Sequence, residues 1–332
     1  MVIVFPSTPF YVAFEVISSC NLNCTYCYAK PFTEFIPSLK NLEYLFKKTQ
    51  KEVHPFEVNI LGGEPFLRSD ILELLHVAKN TFKWVGVSTN GTLIPRLTDS
   101  QMQELKKLNE QGLNIQVSLD SHLEVVHNTL RGGFRDTIAG MKRLDEYGIE
   151  YEVGIVITTL NADKIVDTVQ WIISNFRGVK RVHLMNLMPS YSLPPKIFEK
   201  LTLGRQTPEY WRRVIDKLEE LRKMRPDVQI DYPLTPNANI KAVIDDRANG
   251  LKSCLAGITR ANVLANGDVT PCELVRTLKL GNAYKEHWRR IWKKAQIIIQ
   301  KVQKDAINTT LENRQGLCFL INHYYLIKHK VM

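Results

Sequence analysis

The chain has 332 residues, of which 44% are hydrophobic and 23% are charged. This length accommodates one large α/β barrel, or a barrel with a small second domain, and the composition is typical of a globular protein. No apolar run approaches the roughly 18 residues that span a bilayer, so we expect no membrane partner. The apolar N-terminal stretch lacks a basic leader and is interrupted by Pro6 and Pro9. We therefore expect a first strand there and a cytoplasmic protein.

The net charge is +10 and the pI is near 9.2. A basic protein of this kind invites the hypothesis of a nucleic-acid partner. Lys and Arg are, however, spread over the predicted helices, with only short clusters such as Arg289-Arg290. A solvated basic surface explains this pattern, so a nucleic-acid partner is not expected. The same field would attract an acidic redox protein or an anionic substrate.

Short apolar runs alternate with longer helical patterns between residues 11 and 190. The predicted strands are 11–17, 56–62, 84–89, 113–120, 151–158 and 181–187. The predicted helices between them, with 3.6-residue periodicity, are 38–52, 70–82, 98–110, 134–147 and 161–176. Such alternation implies parallel strands with right-handed crossovers. Because six strands fall short of the eight of a closed barrel, we predict an α/β fold with a partial (β/α)6 TIM-like barrel and a site at the carboxyl ends of its strands.

The regular alternation ends after the sixth strand, where prolines predict a loop followed by a helix at 208–224. Further along the chain, Asn266-Gly267 suits a tight turn between two short strands, and a basic helix is predicted near 284–304. These elements would form a small α+β domain of a hairpin and a helix. The predicted domains are a partial barrel, residues 1–235, and a C-terminal cluster domain, residues 236–332.

The six cysteines fall into two groups of three, which in a chain of this size favours metal or cluster binding over disulfides. Cys20, Cys24 and Cys27 follow the first strand with the spacing C-x3-C-x2-C. Three thiolates on one loop can bind three irons of a [4Fe–4S] cluster and leave the fourth iron without a protein ligand. A zinc site or three structural cysteines are the alternatives. Structural zinc normally takes four ligands, and no fourth is nearby in sequence.

The run C-x3-C-x-aromatic-C, with Tyr26 before Cys27, resembles the signature of the radical S-adenosylmethionine (SAM) superfamily. Glu15 at the end of the first strand and the Asn21-Leu22 pair are also similar to the opening of this family. The resemblance implies that the open iron chelates the amino and carboxylate groups of SAM. It further implies reductive cleavage of SAM to a 5′-deoxyadenosyl radical that abstracts a substrate hydrogen, and it places Tyr26 among the cofactor-binding residues.

The run Gly62-Gly63-Glu64-Pro65 follows the second strand and resembles the GGEP element that cradles the SAM amino group in this family. Two glycines let the backbone approach closely, and bared carbonyls can accept hydrogen bonds from an ammonium group. Taken alone, the run could also be an ordinary turn. Asn90 follows the third strand in a Thr-Asn-Gly segment that resembles another cofactor-binding segment of the family.

Two more cofactor-binding residues are implied by the resemblance. Ser118 and Asp120 lie two apart on the predicted fourth strand, so both side chains point to one face. By resemblance, Ser118 is a candidate contact to the ribose of SAM. Arg131 looks like the arginine that pairs with the SAM carboxylate, for which its planar guanidinium is suited. An ordinary surface position is the alternative for Arg131.

The second group consists of Cys254, Cys272 and Cys318. Cys254 and Cys272, with Gly267 between them, form a C-x12-G-x4-C pattern that resembles the opening of SPASM and twitch domains. These C-terminal extensions of radical SAM enzymes hold auxiliary [4Fe–4S] clusters, so the resemblance implies a second cluster on the three cysteines. The C-x2-C-x5-C-x3-C block of a full SPASM domain is missing, and only one auxiliary cluster is expected, as in a twitch domain.

The fourth ligand of the auxiliary cluster is left open by the sequence, because Ile321 stands where a C-x2-C partner of Cys318 would be. Glu273, His323, a bound substrate and no ligand at all are the alternatives. Three reduced cysteines without a metal are a further alternative. A small domain would, however, gain stability from a cluster.

The Thr-Asn-Gly, Ser-x-Asp and Gly-x4-Cys segments resemble those of peptide-maturing radical SAM enzymes, which predicts modification of a peptide or protein side chain. The alternative is a small-molecule enzyme, for example one that oxidises an alcohol after hydrogen abstraction. A non-catalytic cluster protein is a third hypothesis. The expected electron donor is a ferredoxin or flavodoxin. Glu152, His183 and Asn186 are candidates for catalysis only by their position on late strands.

Overall fold

A computed structural model describes residues 6–190, 192–203, 207–232, 256–257 and 259–307. Its centre is one ten-stranded sheet with the order β10-β9-β8-β1-β2-β3-β4-β5-β6-β7. The strands are β1 Tyr11–Glu15, β2 Glu57–Leu61, β3 Trp84–Thr89, β4 Leu113–Ser118, β5 Tyr151–Ile157, β6 Val179–Asn186, β7 Gln229–Asp231, β8 Arg260–Val263, β9 Asp268–Thr270 and β10 Gly281–Asn282. Strands β1 to β7 are parallel and adjacent in chain order. The prediction of an α/β fold with a parallel sheet is confirmed.

Nine helices of the described residues accompany these strands. They are α1 Leu39–Val53, α2 Ile71–Thr81, α3 Asp99–Glu110, α4 Glu124–Leu130, α5 Phe134–Glu146, α6 Ile165–Asn175, α7 Pro195–Leu201, α8 Thr207–Met224 and α9 Trp288–Ile307. The periodic helices lie close to their predicted positions. Within the ranges that the structure covers, no helix combines the length and the apolar character needed to cross a membrane.

Within residues 6–232, three elements differ from the prediction. Helix α4 was not predicted, and α7 lies in a stretch predicted as a loop; both have seven residues, too few for a periodic pattern to stand out. Pro195 occupies the first turn of α7, where its fixed φ favours a helix start. The third element is β7, three residues that pair in parallel with β6.

The side chains of β1 alternate between two environments. Phe14 packs against Phe46 of α1, with ring centroids 4.9 Å apart, so the even-numbered residues face the helices. Tyr11 and Glu15 consequently face the inner side of the curved sheet. On β2, burial raises the pKa of Glu57, and the charges of residues on β8, β5 and β6 also act on it. The inner faces of these strands therefore lie across from each other.

The C-terminal hairpin extends the parallel sheet beyond β1. Strand β8 pairs in parallel with β1, in the register Tyr11↔Arg260, and β9 returns antiparallel to β8. Gly267, at φ +85°, forms the predicted turn between them. Helix α9 lies against α1, where Trp288 Nε1 donates to Thr49 Oγ1 at 3.1 Å. The predicted domain boundary at 235/236 lies outside the described residues and stays a prediction.

Candidate active site

The loop that carries Cys20, Cys24 and Cys27 begins just after β1, at the carboxyl end of the sheet. The three thiols are partly exposed and close enough for each to influence the others electrostatically. Burial raises the pKa of Cys20 to about 11 and raises that of Cys24, where the charge of Arg131 acts in the opposite direction. The Leu22 N–H lies 3.4 Å from Cys20 Sγ. The loop therefore presents three clustered thiols at one end of the barrel.

The spatial arrangement of these thiols bears on the zinc alternative. Across the described ranges, no three His, Cys, Asp or Glu side chains converge on a position for a single metal ion. The cysteine ligands of a cubane bind three different irons, so they need not converge in the way that the ligands of one zinc ion must. A soft, all-thiol donor set on a partly exposed loop fits an iron–sulfur cluster.

The glycine pair after β2 packs directly on the chain that enters the cysteine loop. A Cβ on Gly62 would lie 2.3 Å from Ile17 O, and one on Gly63 would lie 1.9 Å from Ser19 O. The Gly63 N–H donates to Ile17 O, and the Glu64 N–H donates to Ser19 O, both at 2.9 Å. The close backbone approach expected from the two glycines is therefore present. The backbone that these glycines contact is the segment before Cys20.

Glu64 is buried, and its carboxylate is directed at the protein. It accepts hydrogen bonds from the Phe66 N–H at 3.0 Å, from Thr89 Oγ1 at 2.7 Å and from the Asn90 N–H at 2.7 Å. Burial raises the pKa of Glu64 to about 7, although these three donors lower it. Pro65 begins a 3-10 helix, Pro65–Leu67. Glu64 thus connects the loop after β2 to the loop after β3.

Asn90 connects the loop after β3 to the cysteine loop. Its Nδ2 donates to Asn21 Oδ1 at 2.9 Å and lies 4.0 Å from Cys20 Sγ. Its Oδ1 accepts from the Thr92 N–H at 3.0 Å, while Asn21 Nδ2 donates to Thr92 Oγ1 at 2.8 Å. Asn21 and Thr92 were not predicted as site residues. The Asn21-Leu22 pair of the family signature was the signal that could have identified Asn21.

Asp120 is the centre of a second group around the cysteine loop. It is fully buried, and its Oδ2 accepts from Arg131 Nε at 2.7 Å and from the Tyr26 hydroxyl. The Arg131 guanidinium lies 5.3 Å from the Tyr26 ring centroid. Burial alone would lower the pKa of Arg131, but the charge of Asp120 raises it, so the guanidinium stays charged. Tyr26 and Arg131, both predicted site residues, are therefore held together by Asp120.

The other carboxylate oxygen and the backbone N–H of Asp120 also form hydrogen bonds. Asp120 Oδ1 accepts from the Val156 N–H of β5 at 2.9 Å, and the Asp120 N–H donates to His127 Nδ1 at 3.3 Å. Burial lowers the pKa of His127 to about 4, so this ring is neutral and can accept. Strand β4 ends at Ser118, and Asp120 therefore lies in the loop beyond it. Ser118 stays on the inner face of β4, partly exposed and paired with Gly154.

The second cysteine group is described only in part, since Cys254 and Cys318 lie outside the described residues. Cys272 is buried just after β9. Because β9 runs antiparallel to the barrel strands, Cys272 lies toward their amino ends, opposite the first cysteine group. Glu273 Oε1 lies 3.8 Å from Arg260 Nη2 on β8. A function of Glu273 as a ligand of the auxiliary cluster stays a prediction.

The three strand residues considered for catalysis each lie beside another side chain. Glu152 forms an ion pair with Arg181 at 3.0 Å. Asn186 Oδ1 accepts from Trp211 Nε1 at 3.2 Å. His183 is partly exposed on the inner face, with its Nδ1 3.9 Å from Asp231 Oδ2. The contacts of Glu152 and Asn186 connect barrel elements to one another.

Comparisons with known families agree with this geometry. The family model of the Radical SAM superfamily matches residues 14–172, and that of an iron–sulfur cluster-binding domain, SPASM, matches residues 254–318. The chain therefore contains a radical SAM domain, followed by an iron–sulfur cluster-binding domain. Its C-terminal region is of the SPASM type, and its cofactors are SAM and [4Fe–4S] clusters.

The individual proteins that resemble this chain are named for different functions. The chain is 28% identical over 304 residues to the antilisterial bacteriocin subtilosin biosynthesis protein AlbA of Bacillus subtilis (strain 168). The matched region covers 86% of this chain and 59% of AlbA. It is 25% identical over 335 residues to an AdoMet-dependent heme synthase of Methanosarcina barkeri, covering 95% of this chain and 90% of that protein. Streptococcus suis SuiB bound to the precursor peptide SuiA has a similar fold, with a TM-score of 0.69 and 20% identity, over 87% of this chain and 65% of SuiB.

In radical SAM enzymes, the site-differentiated cluster supplies the electron that cleaves SAM. Cys20, Cys24 and Cys27 would hold this cluster in the present chain. The hydrogen bonds of Glu64 and Asn90 fix the loops after β2 and β3 against the cysteine loop. The hydrogen bond from Tyr26 to Asp120 keeps the second half of that loop against the loop after β4. The chain's own residues thus orient three adjacent loops around one position.

Proposed function

We propose that this enzyme modifies a side chain of a peptide or protein by abstracting a hydrogen atom from it. The observation that carries the proposal is the open, polar inner face of the sheet below the cysteine loop. Asn59 on β2, Ser88 on β3 and Gln116 on β4 point to this face and stay partly exposed. A small-molecule site would be expected to enclose most of its ligand. A partly exposed face of hydroxyl and amide groups suits the repeated amides of a peptide.

Glycines enlarge this inner face next to two of the amide side chains. A Cβ on Gly86 would lie 3.0 Å from Asn59 Oδ1, and one on Gly154 would lie 3.2 Å from Gln116 Cδ. Each amide therefore lies over a glycine of the neighbouring strand. This arrangement keeps side chains of β3 and β5 out of the space that a substrate would occupy.

Two relatives support a peptide substrate. AlbA is named for the biosynthesis of a bacteriocin, and SuiB is solved with a precursor peptide. The present chain spans 59% of AlbA and 65% of SuiB, so the inference rests on the matched parts of these proteins alone. A small-molecule substrate is the second candidate function. It is favoured by the match to the heme synthase over 90% of that protein.

Finer assignments of the site belong to the same proposal. Gly62, Gly63, Glu64 and Pro65 would form the SAM cradle, with Asn90 beside it. Ser118 and Arg131 are proposed as contacts to the ribose and the carboxylate of SAM. In the described chain, Arg131 uses Nε for Asp120 and has no hydrogen bond at its two terminal nitrogens, which supports this assignment.

The test is anaerobic reconstitution with iron and sulfide, followed by incubation with SAM and dithionite. The candidate substrates are short peptides encoded beside the gene, and the readouts are 5′-deoxyadenosine and the mass of the peptide. We expect a peptide to increase 5′-deoxyadenosine formation and to change in mass, and the Cys24→Ala variant to do neither. SAM cleavage that no candidate peptide stimulates, together with stimulation by a tetrapyrrole precursor, would contradict the peptide proposal.

A further inference from the structure

Three aromatic side chains are exposed side by side at the amino ends of the first three strands. Phe10, Phe56 and Trp84 are 57%, 64% and 47% exposed, respectively. The rings of Phe56 and Trp84 have centroids 6.2 Å apart, and the Phe56 N–H donates to Phe10 O at 2.8 Å. We call these three residues the aromatic base. Clusters of exposed aromatic residues are typical of interaction surfaces.

Several lysines lie at the same end of the sheet as the aromatic base. Lys51, Lys79 and Lys107 lie in the last turns of α1, α2 and α3, which all end at this end of the barrel. Lys83 Nζ lies 5.8 Å from the Trp84 ring centroid, and Lys79 Nζ donates to Lys83 O at 3.4 Å. Lysines at helix C-termini are also favoured by the helix dipole. That preference does not explain the exposed aromatic rings between them.

Acidic side chains at this end of the sheet are fewer than the lysines. Glu52, next to Lys51, forms an ion pair with Lys48 at 3.0 Å and accepts from the Trp288 N–H. Glu57 is exposed on the inner side of the sheet, where the charge of Arg260 acts on it. Glu110 at the end of α3 is exposed. The aromatic base is therefore apolar at its centre and predominantly positive at its rim.

The aromatic base also borders the segment that carries Cys272. The Phe10 N–H donates to Thr259 O at 2.8 Å, and the Gly257 N–H donates to Pro271 O at 3.1 Å. Cys272 follows Pro271 directly. The Arg260 guanidinium, on which Cys272 acts electrostatically, lies 4.4 Å from the Tyr11 ring centroid. The aromatic base and Cys272 thus lie at the same end of the molecule.

We propose that the aromatic base is the docking surface of a small, acidic, one-electron carrier protein. Encounters between redox proteins bury little area, below about 1,200 Å² in total, and three aromatic rings with a charged rim are compatible with that size. A permanent dimer would require a larger apolar face. Opposite charge on the two proteins would guide the encounter and set its rate. Each SAM that is cleaved takes one electron from the carrier, which is oxidised by one electron, and yields methionine and a 5′-deoxyadenosyl radical. The radical becomes 5′-deoxyadenosine by taking a hydrogen atom from the substrate or, without substrate, by taking a second electron from the carrier and a proton from water.

This proposal goes beyond the substrate question and does not depend on it. The experiment measures 5′-deoxyadenosine formed from SAM without any peptide, so a failure of the peptide proposal does not affect it. Each protein is assayed twice, once with reduced flavodoxin and once with dithionite, which needs no docking surface. The readout is the ratio of the flavodoxin-driven rate to the dithionite-driven rate. Using the ratio removes any general loss of activity caused by a substitution.

The test variants are Phe56→Ser, Trp84→Ser and Lys83→Glu, and the control is Tyr44→Ser, an aromatic residue of α1 that is 54% exposed. We expect the ratio to fall roughly tenfold in the Phe56 and Trp84 variants, the usual effect of removing an aromatic anchor, and to stay constant in the control. The ratio should also fall with added salt in the wild type, and less steeply in Lys83→Glu. An unchanged ratio in both aromatic variants overturns the proposal.

Discussion

The two oxygens of the Asp120 side chain accept hydrogen bonds from different groups, and these bonds explain how the side chain can be buried. One oxygen binds Tyr26 and Arg131, and the other binds the backbone of β5. A buried carboxylate is tolerated only when its hydrogen-bonding capacity is filled in this way. The residue therefore couples the cysteine loop, the segment after α4 and the fifth strand through one functional group.

Replacing Asp120 with Asn should leave the charge of Arg131 buried without its partner. We expect the free energy of unfolding to fall by about 3 kcal/mol, the usual effect of removing one member of a buried ion pair. Chemical denaturation of the reconstituted protein measures this change. The matched control is Asp167→Asn, because Asp167 pairs with Lys164 at an exposed position and its loss should cost less than about 1 kcal/mol. Equal effects of the two substitutions would show that Asp120 does not hold the site.

At the scale of elements, the loop after β2 and the loop after β1 are in contact through backbone atoms. Substituting Gly63 with Ala would place a Cβ against Ser19 O, and neither backbone segment can yield as a flexible side chain would. We expect the loops to separate and the SAM-dependent change in the electron paramagnetic resonance signal of the reduced cluster to be lost. Gly154→Ala is the control, since its Cβ meets the flexible end of Gln116. Retention of the SAM response in Gly63→Ala would contradict the packing argument.

The strands and most helices could be predicted because their apolar residues follow a period of two or of 3.6 over enough residues. The short helix α4 and the three-residue strand β7 could not, since so few residues carry no measurable period. The cysteine and Gly-Gly-Glu-Pro segments were recognisable from spacing. The contacts of Asp120 were not, because spacing shows which face of a strand a residue occupies and cannot show what a side chain in the following loop will meet.

At the scale of the whole molecule, one ion pair connects the C-terminal region to the carboxyl end of β1. Arg276, four residues after Cys272, binds Glu15, to which Asn262 also donates at 3.3 Å. Both charged side chains are largely buried. Burial raises the pKa of Glu15, while the charge of Arg276 lowers it. The pair holds the segment after β9 against the strand that leads into the cysteine loop.

A double-mutant cycle can measure this connection. We expect Arg276→Met to lower the free energy of unfolding by about 3 kcal/mol, because the Glu15 carboxylate is left buried and unpaired. In the double variant with Glu15→Gln, the loss should be smaller than the sum of the single losses. Denaturation of all four proteins provides the measurement, with Arg289→Met at an exposed position of α9 as the control. Additive single losses would show that the two residues do not interact.

The pairing of β8 with β1 has a consequence for the order of events during synthesis. Strand β1 is synthesised long before β8, yet one of its two edges is covered only by Arg260–Val263. At roughly 5–20 residues per second, this edge waits on the order of tens of seconds for its partner. An unpaired edge of this kind can pair with other chains. The nascent enzyme therefore passes through a period in which its cysteine loop already exists on a strand that is still open to aggregation.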